Sequence, residues 1–205
     1  MIDENSVIKS ACDIAGITAP EDLTSELYNG VTALDAYKMD AQAALALHPW
    51  SFAQSLVLLN RRREAPITGY AYIHQIPTEN LIIATDKITD IPSQPDRAFT
   101  DYVKYGSKIY SNQEKLYAVI RTEVGPHLWN PLFVSAVATG LAAKLVLSIA
   151  ADIKTFQTLD RLAYGDTREE RRGGMIRAAI NADQFTKPNK SMRMGNNPLT
   201  AAYLS

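Results

Sequence analysis

The chain has 205 residues, 46% of them hydrophobic and 21% charged, a length and balance that fit an ordinary folded domain and exclude a disordered or collagen-like chain. Its 21 basic and 22 acidic residues leave a formal charge of −1, which excludes wrapping of nucleic acid by bulk basicity. The sum conceals a gradient, because residues 1–60 hold two basic and eight acidic residues whereas 161–205 hold eight basic and four acidic.

The N-terminal MIDENSVIKSACDIAG is acidic and has no basic region followed by a long apolar run, so no secretory signal is expected and synthesis in a cytoplasm is. Val7, Ile8, Ala11, Ile14 and Ala15 recur at helical spacing and Gly16 follows at a stop position, predicting a first helix over 4–15. Cys12 stands alone in that pattern, so a buried thiol is expected rather than a disulfide or a paired-cysteine metal site. Thr18-Ala-Pro-Glu21 has the form of a capping box with proline in the first turn. Leu27, Val31, Leu34, Tyr37, Ala41, Leu45 and His48 continue one stripe, predicting a second helix that ends before Pro49.

After Trp50 the period shortens. Apolar or aromatic runs over 56–59, 67–76, 81–88, 99–105, 108–110 and 116–124, separated by prolines and glycine, predict about five antiparallel strands. Gly106-Ser107 has the form of a two-residue hairpin loop. Asn130-Pro131 places a capping residue before proline at a helix start, predicting a third helix to about Ser148. Residues 132–151 approach the length of a bilayer span, but Lys144 in the middle costs several kcal/mol in lipid and aromatic belts are missing at both ends. A helix buried in protein, without membrane insertion, is expected. A fourth helix starts near Asp152 and carries Ile153, Phe156, Leu159 and Leu162, then Met175, Ile176, Ala179 and Ile180, with a bend or break at Gly173-Gly174. From Lys187 the period is lost and an extended basic arm is expected.

The class expected from these elements is α+β: an antiparallel helical bundle from residues 1–52 and 128–186, an inserted antiparallel β-domain over 53–127, and an arm over 187–205. No catalytic motif is present. His48, His74 and His127 lie in separate elements without metal-site spacing, and no phosphate-binding loop or nucleophile elbow occurs. Glu169-Glu170 alternates with Arg168, Arg171 and Arg172, as on a solvated, salt-bridged helix face. Arg61-Arg62-Arg63 and the cluster Arg168, Arg171, Arg172 and Arg177 are either solvated faces or contacts to phosphates or acidic surfaces. No catalytic residue, cofactor or metal ligand is assigned. Ten tyrosines against five phenylalanines suit interfaces and strands equally.

The order and spacing of several motifs resemble the tail tubular protein A family, the head-to-tail adaptors of short-tailed bacteriophages. These are an acidic helix pair ending in Leu47-His48-Pro49-Trp50-Ser51-Phe52, and an aromatic run Gly69-Tyr70-Ala71-Tyr72-Ile73-His74-Gln75-Ile76-Pro77. A hairpin ending in Lys108-Ile109-Tyr110-Ser111-Asn112 follows, then two helices, the second closing on Ala178-Ala179-Ile180-Asn181-Ala182-Asp183-Gln184. The turn after Pro77 and the double glycine at 173–174 depart from the family pattern.

The resemblance implies a non-enzymatic virion protein: a dodecameric ring of identical subunits between portal protein and tail nozzle or tube, with double-stranded DNA passing transiently through its centre. It implies a portal-binding arm anchored by Met192, Arg193, Met194, Leu199, Tyr203 and Leu204, and a tail-contact hairpin at Tyr105, Gly106, Ser107 and Lys108. The charges of Arg168, Arg171, Arg172 and Arg177 are then expected at the channel or between subunits. A connector of a long-tailed phage and an envelope-polysaccharide hydrolase are the alternatives.

Overall fold

A computed structural model describes residues 2–24, 26–28, 31–66, 69–78 and 81–186. The chain is a mixed α+β protein whose helices flank the β-region in sequence. Helix α1 (Glu4–Ala15) starts at a capping box in which Asp3 accepts from the Ser6 N–H and the Ser6 hydroxyl oxygen accepts from the Asp3 N–H. The Ser6 hydrogen bonds, backbone first, hold the Asp3 carboxyl below its usual pKa. The stripe Val7, Ile8, Ala11 and Cys12 is buried, and the helix ends at Gly16 as expected.

The second helix does not start at Thr18. Asp22 instead accepts from the N–H and hydroxyl of Thr24, a local turn that competes with helix. A short ribbon, β1 (Glu26–Tyr28) and β2 (Val31–Thr32), follows. Helix α2 (Ala33–Ala46) is capped by Thr32, whose hydroxyl oxygen accepts from the Asp35 N–H at 3.0 Å.

Among the described residues, the middle of the chain holds seven strands where about five were expected, in two antiparallel sheets. One has the order β3 (Gln54–Leu58), β9 (Tyr117–Thr122), β6 (Ile82–Thr89). The other has the order β4 (Asn60–Arg61), β5 (Tyr72–Gln75), β8 (Lys108–Ser111), β7 (Tyr102–Tyr105). The chain leaves one sheet for the other at Leu59, whose N–H donates to the Leu116 carbonyl and whose side chain is buried with Ile76, Ile88, Ile109, Leu116, Ala118 and Ile120. Of the run expected over 67–76, the described residues form strand over Tyr72–Gln75.

His74 lies buried in the second sheet. Its Nε2 is 2.9 Å from the Gln113 carbonyl oxygen, so Nε2 carries the proton, and Nδ1 has no partner among the described residues. Burial pulls its pKa below the usual 6.5, the Gln113 contact opposing this and Arg61 reinforcing it. The unfolded chain then binds more protons than the native one as pH falls through 6.5. Stability is full above that value and declines on acidification below it. His74→Gln is expected to flatten this part of the profile, checked by urea midpoints at several pH values.

Helix α3 (Pro131–Leu145) begins at Asn130, whose side chain accepts from the Leu132 N–H at 2.9 Å. It ends three residues before Ser148, in a widened π-turn, Val146–Ala150. Together these make an apolar helical stretch, Pro131–Ala150, whose middle, from Ala136 to Val146, is almost wholly buried within the chain. Lys144 has a protein partner there: its Nζ meets the buried carboxylate of Asp40 on α2. Tyr164 donates to the same carboxylate at 3.1 Å, and burial followed by the Asp40 charge keeps that phenol protonated by raising its pKa.

Helix α4 (Ile153–Tyr164) starts at Asp152, which accepts from the N–H groups of Lys154 and Thr155. It stops at Tyr164 and does not continue through Gly165. A separate helix, α5 (Gly174–Thr186), follows. At Gly174 φ is +53°, and a Cβ there would lie 2.4 Å from the Leu162 carbonyl oxygen, so geometry and space both require glycine. Gly140 on α3 lets the Tyr164 ring approach closely; a Cβ would come within 2.3 Å of it. The helical core gathers Trp50, Trp129, Phe133, Leu141, Tyr164 and Ile176 with the α1 and α2 stripes, and Ile83 of β6 packs against it.

Candidate functional site

Among the described residues no group of His, Cys, Asp and Glu side chains could hold a metal ion. His48, Ser51 and Asp183 do come together, but around the carboxylate: Asp183 accepts from the Ser51 N–H at 2.9 Å and the Ser51 hydroxyl at 2.5 Å, while His48 Nε2 lies 3.2 Å from its other oxygen. Nucleophilic catalysis needs the hydroxyl to give its proton to the base. Here it donates to the Asp183 carboxylate and not to His48, and the cluster ties α5 to the turn after α2.

That turn faces a cleft of about 460 Å³ lined by Leu47, His48, Pro49, Glu169, Arg172, Arg177, Ile180, Asn181 and Gln184. Positions 177, 180, 181 and 184 fall on one stripe of α5. Arg172 comes from the connection between α4 and α5, where a capping box joins Asp166 and Glu169 around a 3₁₀ turn, Thr167–Glu169. Glu170 and Arg171 then adopt φ of 51° and 61°, left-handed conformations that cost a non-glycine residue roughly 1–2 kcal/mol each.

The arginine cluster is therefore not one helix face, as the sequence pattern implied, because the helix breaks between its members. Arg171 turns back, pairing with Asp160 at 3.2 Å and stacking 4.2 Å from the centre of the Tyr164 ring. Arg177 is 3.6 Å from Glu169. Arg168 and Arg172 are exposed, and neither guanidinium makes an ion pair among the described residues. Two of the four are committed within the chain and two remain available.

Residues 105–108 form the tip joining β7 to β8, with Tyr105 opposite Lys108. Tyr105 is 61% exposed, and its ring meets Tyr110 edge to face. Ser107 and Lys108 are drawn back onto the protein: Gln75 Nε2 donates to Ser107 Oγ at 2.6 Å, and Lys108 Nζ donates to Glu64 at 2.8 Å. That hydrogen bond lowers the Glu64 pKa and raises that of Lys108. A groove of about 540 Å³ runs beside the tip, with Ile76, Pro77, Leu81 and Lys104 among its walls.

Of the other arginine run, Arg61 pairs with Glu114 at 3.0 Å and lies 4.3 Å from the centre of the Tyr72 ring, leaving Arg62 and Arg63 exposed. Met192, Arg193, Met194, Leu199, Tyr203 and Leu204 lie outside the described residues. Sequence reasoning missed the lining role of His48, Asn181 and Gln184; the polar stripe of α5 was the available signal. No protein-family model and no curated protein matches the chain.

Proposed function

We propose that the chain is a head-to-tail adaptor of a bacteriophage virion, a ring of identical subunits between portal and tail through which DNA leaves the head. The observation that carries the reading is the succession of the Trp50 turn, the aromatic run into Pro77, the hairpin and the Ala178–Gln184 ending, in order and at the spacing of that family. In this reading the helices form the portal-side bundle, the β-region between α2 and α3 faces the tail, and residues 187–205 are the portal arm. Exposed Leu147, Ile149, Ile153, Leu162 and Phe185 supply apolar surface on the helical part, which suits subunit contacts.

The test mixes full-length chain with the portal protein of the same virion and follows co-sedimentation and electron-microscopic symmetry. A portal-bound ring is expected, with binding lost on deletion of residues 188–205. Tyr105→Glu with Ser107→Lys is expected to leave the ring assembled and block tail attachment. A chain that never associates with portal but cleaves an envelope glycan would establish the hydrolase reading instead.

A further inference from the structure

We propose that residues 199–204 add as a strand to the open edge of β3 in the same chain, seating the C-terminal arm on the β-region. The inference goes beyond the adaptor reading and is independent of it; where both hold, portal takes the segment from β3. The two larger sheets have four outer strands, and three of them are guarded against further pairing. Strand β4 is two residues long and carries Arg61. Strand β6 breaks register twice, and the Phe99 N–H already takes the Ile88 carbonyl near its far end. Strand β7 carries Lys104. Strand β3 alone runs five residues, Gln-Ser-Leu-Val-Leu, in unbroken register with β9 and without charge or proline.

The Leu59 N–H donates to the Leu116 carbonyl, which puts Leu59, Val57 and Ser55 at the positions bonded to β9. The main-chain N–H and C=O of Leu56 and Leu58 therefore point away from the sheet, and among the described residues no backbone group meets them. Both leucine side chains are exposed, opposite Val119 and Tyr117 on one face of the sheet. Free main-chain groups at alternate residues, beside an apolar face, select an extended and uncharged strand as the occupant.

The chain supplies such a strand within reach. Asp183, near the end of α5, accepts from Ser51, three residues before β3 begins, so the residues after Thr186 set out beside the start of that strand. The twelve residues 187–198 span at most about 40 Å, against about 17 Å for a strand of five. They hold three basic residues, two prolines and a glycine, whereas 199–204, Leu-Thr-Ala-Ala-Tyr-Leu, has no charge, proline or glycine. In a strand Leu199, Ala201 and Tyr203 share one face, and laid beside Leu56 and Leu58 they extend the apolar face through cross-strand pairs. A tether of this length holds the segment at roughly millimolar local concentration. An interaction too weak to capture a free peptide then still fills the edge.

The experiment follows amide hydrogen exchange, residue by residue, in the free full chain and in its Ala201→Pro, Ala202→Pro variant. Of two adjacent prolines one must fall on a bonded position of the added strand, where it has no N–H to give. The Leu56 and Leu58 amides are expected to exchange at least tenfold faster in the variant, while the Val57 amide, bonded to β9, keeps its rate. Thermal melts check that the variant folds. Leu56→Cys paired with Ala201→Cys or with Ala202→Cys is expected to close a disulfide within one chain on oxidation, since the natural Cys12 is buried.

Leu56 and Leu58 amides that exchange at the same rate in both proteins overturn the proposal. Disulfides that form only between chains also overturn it and give the edge to the arm of a second copy. Neither result bears on the adaptor reading, which the portal experiment decides with portal present.

Discussion

Replacing Arg121 with alanine is expected to destabilise the protein by about 3–5 kcal/mol, the cost of removing one partner from a buried ion pair. For a chain of this size that lowers the melting temperature by roughly 10 °C. Arg121 lies on β9, yet its Nη1 donates to the carbonyls of Leu45 and Ala46 at 2.9 and 2.8 Å, the last turn of α2. Its Nη2 meets Asp86 of β6 at 2.5 Å, and Asp86 also accepts from Gln54 of β3 at 2.8 Å. One guanidinium thus satisfies orphan carbonyls at a helix end and joins that end to three strands. Arg121→Lys keeps the charge but cannot fork, so it is expected to recover only part of the loss. Urea denaturation of the three proteins checks this; a loss under about 1 kcal/mol for alanine would mean that water replaces these bonds.

Trp50→Ala is expected to cost a similar amount, about 3–5 kcal/mol, because a large side chain leaves a cavity that its surroundings cannot close. Trp50 is fully buried. Its ring stands 4.7 Å from Phe133 edge to face, 5.6 Å from Phe52 in a stack and 4.9 Å from His48, while its Nε1 donates to the Ala44 carbonyl at 3.2 Å. The substitution also loosens the turn that carries His48 and Ser51 to Asp183. Near-ultraviolet circular dichroism is expected to lose aromatic signal, with an earlier urea midpoint; Trp50→Phe should retain most of the packing.

Features readable from the sequence were those decided within a few residues. Asn130-Pro131, Asp152, Gly16 and Gly106-Ser107 each punctuate the chain through their own side-chain or backbone geometry, and each marks a boundary in the structure. The second helix was misplaced because the Asp22–Thr24 turn and the Thr32 cap compete with a capping pattern that looks equally sound in isolation. The division of strands between two sheets was not legible, since β3 finds β9 more than fifty residues away and nothing near Leu59 announces the change of partner. The same holds for the candidate site. Its arginines were visible as a cluster, but the folding back of Arg171 onto Tyr164 and Asp160, and the exposure of Arg172, depend on a break whose full extent only the packing of Gly173 and Gly174 explains.

The pairing of Gln54 with Arg121 has an evolutionary consequence. The chain enters and leaves the β-region at two residues that face each other across neighbouring strands, so the helical part meets that region at this neck and at Ile83 of β6, which packs on its core. Segments whose ends lie close together tolerate exchange and insertion. Lengthening a hairpin or recasting a sheet edge beyond the neck leaves the spacing of α2 and α3 intact, provided the Arg121 fork survives. The two parts are thereby free to change at different rates, one following what holds the helices and the other whatever the strands must meet.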